Sequence, residues 1–130
     1  MSPEPEYLGA PTEWLTRARS NLELAHRAVG PGVLWEDLAF EAQQAAEKAL
    51  KGVLIARGGS FRKTHDIGVL LTLLRNAGVE VSHDLDASVH LSQYAFASRY
   101  PSEVPLTEAN FREALQLAEA VVAWCETQVA

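Results

Sequence analysis

Several groups of residues in this chain could do chemistry. The first is the basic loop Gly58-Gly59-Ser60-Phe61-Arg62-Lys63-Thr64-His65-Asp66. Glycines followed by hydrogen-bond donors at a helix start can hold a phosphate, because unpaired backbone N–H groups and the helix dipole both favour an anion there. The order departs from a Walker loop, which needs a preceding strand and a Gly-Lys-Ser/Thr ending. A simple helix stop with a solvated turn therefore competes with the anion site. The second group is the polar stripe Gln44, Glu47, Lys48 and Lys51. Glu47 and Lys51 stand four apart in the order that stabilises a helix by roughly 0.2–0.5 kcal/mol. Phe40 and Ile55 project within the same stripe, and large apolar groups among charges mark a contact patch for a partner protein or a second copy. The third is Arg99-Tyr100-Pro101, where a guanidinium can grip a phosphate and a phenol can stack on a base, or where both simply cap and pack a helix end.

The histidines and the cysteine carry less. His83, Asp86 and His90 share one side of a predicted helix, but seven residues is about 10.5 Å of rise, too far for both histidines to bind one metal. Asp86 and His90 alone are a two-ligand fragment, and a closed site needs more. Cys125 falls on an apolar face and reads as a small core residue. No Ser-His-Asp or Cys-His arrangement is legible, so no metal or catalytic triad is expected.

These groups need elements to position them. The stretch from Phe40 to His65 is the organising one. At 100° per residue, Leu38, Ala39, Ala42, Ala45, Ala46, Ala49, Leu50, Val53 and Leu54 share one broad side of a helix, and Glu41, Gln44, Glu47, Lys48 and Lys51 the other. The alanines allow neighbouring axes to approach to the short end of the roughly 8–10 Å packing range, which predicts a central helix from about Val33 to Arg57, stopped by Gly58. Before it, Thr12 is the expected cap of a helix carrying Trp14, Leu15, Ala18, Leu22, Ala25 and Val29. After it, Asp66 suits the N-terminus of a third helix bearing Ile67, Leu70, Leu71 and Leu74. Ser82 is the expected cap of a fourth, with Leu85, Val89, Ser92 and Phe96 on one side and His83, Asp86, His90 and Tyr94 on another. Thr107 caps the last, whose apolar face is Phe111, Ala114, Leu115, Ala118, Val121, Val122 and Cys125. Nothing reads as a strand. The expectation is all-α: an up-and-down bundle of four main helices plus one shorter helix, with residues 1–10 a flexible arm and 11–130 a single domain.

Bulk properties narrow the function. The 130 residues suffice for one core without disulfides or structural metal. A single cysteine fits a reducing, cytoplasmic location. The acidic, proline-bearing start lacks the features of a secretory signal, and no apolar run reaches the ~20 residues of a membrane span. A net charge of −6 argues against a general nucleic-acid coat. Between residues 48 and 75, however, Lys48, Lys51, Arg57, Arg62, Lys63 and Arg75 stand against Asp66 alone, a distribution that can attract an anion locally.

The block Phe40-Glu-Ala-Gln-Gln-Ala-Ala-Glu-Lys-Ala-Leu-Lys51, the glycine-bearing turn, Lys63-Thr-His-Asp66 and Arg99-Tyr-Pro101 together resemble the HEPN domain (higher eukaryotes and prokaryotes nucleotide-binding) over nearly the whole chain. That resemblance implies a helical bundle that is commonly dimeric and often encoded beside a minimal nucleotidyltransferase, in a toxin–antitoxin-like pair. It implies no cofactor. It carries over Lys51, His65, Arg99 and Tyr100, to which the basic loop adds Arg62 and Lys63 as the expected ligand-binding set, while the stripe itself gives the expected contact surface of Phe40, Gln44, Glu47, Lys48 and Ile55. Some members are metal-independent ribonucleases with an arginine followed after four to six residues by a histidine. Here Arg99 is followed at that distance by Val104, Pro105 and Leu106, and the formal match Arg19 to His26 lies in the first helix. The expectation is a nucleotide- or anion-binding interaction module. The alternative is a dimeric ribonuclease using His65 and Arg99.

Overall fold

Helix α2, Trp35–Ala56, is the rod on which the other helices pack. The computed structural model describes residues 9–61, 63–96 and 104–129, so Arg62, Arg99 and Tyr100 lie outside the described residues. All nine apolar positions assigned to the inner face of α2, from Leu38 to Leu54, are at most 2 % exposed. Helices α1 (Pro11–Arg27) and α4 (Glu108–Val129) flank it along most of its length. Helix α3 (Ile67–Asn76) and a 3-10 helix (His83–Ala95) pack against α2 and against each other. Among the described residues there is no strand, and no helix is long and apolar enough to cross a membrane.

Local chemistry fixes most boundaries. Gly58 takes φ +72° after α2, and the backbone N–H groups of Gly58 and Gly59 close onto Ile55 and Leu54, the paired bonds of a Schellman stop. Asp66 caps α3 by accepting from the Val69 N–H. Thr107 caps α4, its hydroxyl accepting from the Asn110 N–H while Asn110 Oδ1 accepts in return from the Thr107 N–H. The start of α1 differs from expectation. Its first residue is Pro11, preceded by Ala10 with no side-chain cap. A proline at the first helical position has no N–H to leave unpaired and brings its φ preset, so Thr12 lies inside the helix instead of capping it.

The larger correction concerns the fourth predicted helix. From His83 to Ala95 the chain winds as a 3-10 helix, in which side chains three apart align. The buried row is accordingly Leu85, Ser88, Leu91 and Tyr94, while Val89 and Phe96, expected inside on a 3.6-residue period, are 41 % and 45 % exposed. Ser88 tolerates burial because its hydroxyl donates to the Leu85 carbonyl at 2.6 Å. Burial also pushes the Tyr94 phenol up, with the nearby Glu113 charge adding to it.

Candidate functional site

The site is built on one buried carboxylate. Glu47 is 4 % exposed and Lys51 8 %, so the stripe of α2 is not the solvated face that its helical phase alone gives. Phe61 and residues 63–66 lie back across it, and His65 completes the hydrogen bonding. Glu47 Oε2 accepts from Lys51 Nζ at 2.8 Å. Its Oε1 accepts from Gln43 Nε2 at 3.0 Å and meets His65 Nδ1 at 2.8 Å. Gln43, fully buried, also donates to the His65 carbonyl at 3.1 Å, tying α2 to the loop by a second bond. Its own Oε1 accepts from Gln44.

Burial by itself would raise the Glu47 pKa. Hydrogen bonds from Lys51, Gln43 and His65, with the Lys51 charge, outweigh it and hold the carboxyl below the ordinary value. An ionised carboxylate only accepts, so His65 Nδ1 carries a proton and Nε2 is the nitrogen left for another group. The His65 side chain is 47 % exposed, and Nε2 has no partner among the described residues. Carboxylate and histidine thus form a dyad with one end in the core and the other at the surface.

Around the exposed end lies a hollow of about 350 Å³ lined by Lys63, Thr64, His65, Asp66, Ser92 and Phe96. Phe96 stands edge-on to the imidazole with ring centroids 5.5 Å apart. Three N–H donors at the helix N-terminus beside it are already used inside the protein. Thr64 Oγ1 accepts from Asp66 N, Ser92 Oγ from Ile67 N, and the Asp66 carboxylate from Val69 N. A phosphate cradled by those N–H groups would have to displace Asp66.

The remaining basic residues do not form one patch. Lys51 Nζ points inward, 5.0 Å from the Phe61 ring centroid. Phe61 in turn meets Trp14 of α1 edge-on at 5.9 Å. Lys48 donates to Asn21 Oδ1 at 2.9 Å, and Asn21 to Glu41 at 2.6 Å, so Lys48 joins α2 to α1. Arg57 reaches Gln128 and Arg75 reaches Asp86. Lys63 is exposed at the rim. Of the contact-surface residues, Phe40, Gln44, Lys48 and Ile55 are half-buried. Lys51 and His65 both bond Glu47. Gln43 and Asn21 escape sequence reasoning: a glutamine and an asparagine give no sequence signal of burial until their partners are placed.

The histidines of the 3-10 helix gather no metal site. His83 Nδ1 meets Asp86 Oδ2 at 3.0 Å, three residues apart as the winding requires, and Asp86 also accepts from Arg75 at 2.8 Å. Among the described residues no group of three or more His, Cys, Asp or Glu could hold a metal ion. Cys125 is buried, and burial pushes its thiol up, away from nucleophilic use.

The family model described as HEPN domain matches residues 12–128. Two solved structures are similar over nearly their whole length. TT1696 from Thermus thermophilus is 35 % identical, with 91 % of this chain and 97 % of that one covered and a TM-score of 0.77. ST0689, an archaeal HEPN homologue, is 27 % identical, with 94 % and 99 % covered and a TM-score of 0.76. A search of curated proteins finds no match.

Proposed function

Since the chain belongs to the HEPN domain family, we propose that it is a nucleotide- or anion-binding interaction module whose ligand-facing group is His65. The observation that carries this reading is the 2.8 Å bond that His65 Nδ1 donates to Glu47, which orients the imidazole and leaves Nε2 for a ligand at the rim of the hollow. Lys63 supplies an exposed positive charge beside it. Lys51 acts at one remove, holding Glu47 ionised. Arg99 and Tyr100 complete the ligand set on the strength of the family resemblance, and Arg62 on the charge of the basic loop. In the same reading the protein is a homodimer, uses the Phe40, Gln44, Lys48 and Ile55 face for contact, and partners a minimal nucleotidyltransferase in a toxin–antitoxin-like pair.

Calorimetry with AMP and ATP tests the core of the reading. His65→Ala is expected to weaken binding at least tenfold, because the lost contact is a hydrogen bond to a charged group, worth about 1.5–3 kcal/mol. Equal affinity in His65→Ala and wild type would remove His65 from the site. A second reading has its own support: a histidine steered by a carboxylate can move a proton as well as bind. If the protein is instead a metal-independent ribonuclease, labelled RNA incubated with chelator is cut by wild type and left intact by His65→Ala.

A further inference from the structure

A second hollow, remote from Glu47, lies where the end of α3 meets the start of the 3-10 helix. It measures about 550 Å³ and is lined by Arg75, Val79, Glu80, Val81, His83 and Trp124, among others. We propose that it binds an uncharged heteroaromatic ring of the guanine type.

The floor is apolar. Val79 and Val81 are nearly buried and the Trp124 indole is half-buried, which suits a planar ring, since every base has a π-face that an aromatic side chain can take. The rim offers both kinds of hydrogen-bonding group. Arg75 makes both of its bonds, to the Val81 carbonyl and to Asp86, through Nη2, so Nε and Nη1 have no partner among the described residues. Hydrogen bonds from His83 and Arg75 hold the Asp86 carboxyl below its ordinary value, so Asp86 accepts from both and keeps them in place. Glu80 is exposed and its carboxylate has no partner among the described residues.

Charge excludes the obvious competitor. Arg75 is matched by Asp86 and Glu80 adds a further negative charge, so the hollow has no surplus positive charge for a phosphate chain. A ring that presents acceptors to Arg75 and donors to Glu80 fits instead. Guanine does both, with N7 and O6 accepting and its N2 amino group donating. Adenine presents a donor at N6 beside N7, where guanine has O6, and satisfies the pair less well. An arginine paired with a carboxylate over an aromatic floor is the small set of convergent polar groups that a ligand cavity uses for orientation. The inference stands apart from the His65 reading and shares none of its residues.

The test is an NMR titration of protein labelled with nitrogen-15 at the indoles, with the Trp124 resonance assigned from Trp124→Phe. Guanosine at millimolar concentration is expected to shift Trp124 and leave Trp14 and Trp35 in place. Adenosine should bind at least fivefold more weakly. Glu80→Ala, an exposed change that keeps the fold, should weaken guanosine binding at least tenfold, whereas His65→Ala should leave it unchanged. A Trp124 signal unmoved by guanosine, equal binding of adenosine, tighter binding of free phenylalanine, or an affinity unaffected by Glu80→Ala would each overturn the proposal.

Discussion

Replacing Glu47 by glutamine changes almost no volume and removes one charge from the centre of a buried network. The two carboxylate oxygens face different donors: Oε2 meets Lys51 Nζ at 2.8 Å, while Oε1 meets Gln43 and His65 at 3.0 and 2.8 Å. A glutamine must turn its NH2 toward one side. Facing Lys51, it sets donor against donor beside a cation; facing the loop, it opposes Gln43 and forces His65 to accept. Either way Lys51, with a side chain only 10 % exposed, loses its counter-charge. Removing one partner of a fully buried pair costs about 3–5 kcal/mol. Because the amide keeps one acceptor and Lys51 retains a path to water, the expected loss for Glu47→Gln is about 2–3 kcal/mol. Urea unfolding at neutral pH measures it as a lower midpoint at unchanged slope. Lys51→Met should be costly alone, yet the double variant Glu47→Gln with Lys51→Met should fall short of the summed losses by about 1 kcal/mol or more. The pH dependence has a definite sign. The Glu47 carboxyl is held below its unfolded value, so its contribution is present above the ordinary carboxylate range near ~4.3 and is lost as pH falls through the lower folded value. Glu47→Gln should therefore flatten the acid limb of the stability curve. A variant within about 0.5 kcal/mol of wild type, or single losses that simply add, would refute a coupled buried pair.

Two further outcomes follow from packing. Gly52 faces α1 so closely that an added Cβ would lie 3.0 Å from Trp14 Cβ and 3.2 Å from the Pro11 carbonyl; Gly52→Ala should cost about 1–3 kcal/mol by overpacking, despite alanine's better helix propensity, and a more stable variant by calorimetry would show that α1 yields freely. Leu91→Ala should cost about 2–5 kcal/mol and Val89→Ala less than about 0.5 kcal/mol, a contrast in urea midpoints that an ordinary α-helical period over residues 83–95 would reverse.

The bundle was legible because its signals are local and redundant. The alanine face of α2, the leucines of α3 and the face from Phe111 to Cys125 each repeat at 3.6 residues, and Gly58, Asp66 and Thr107 mark ends by chemistry that acts within a few residues. The 3-10 helix was not, because its three-residue row passes through Ser88, whose hydroxyl hides an apolar period until it bonds its own backbone. Residues 83–96 also offer a 3.6-residue stripe, and only packing against α2, α3 and α4 decides between them. Glu47 and Lys51 are conspicuous in the sequence, but as a surface pair, since helical phase places them opposite the alanines. What buries them is the loop after Gly58, a non-local event that phase cannot encode.

That loop explains why a costly ion pair sits in so small a protein. An apolar pair at positions 47 and 51 would pack against Phe61 and Trp14 without desolvation cost, yet it could not hold an imidazole. Only an acceptor at position 47 can fix which His65 nitrogen carries the proton, and only a cation at position 51 keeps that acceptor ionised against burial. Gln43 removes the remaining freedom by gripping both the Glu47 carboxylate and the His65 backbone. Glu47 and Gln43 are bonded at every polar side-chain atom, whereas the outward nitrogen of His65 has no partner among the described residues, so the arrangement orients one atom at the surface at the expense of stability within. Stability alone does not account for that asymmetry, whereas the ligand proposed for the rim of the hollow would.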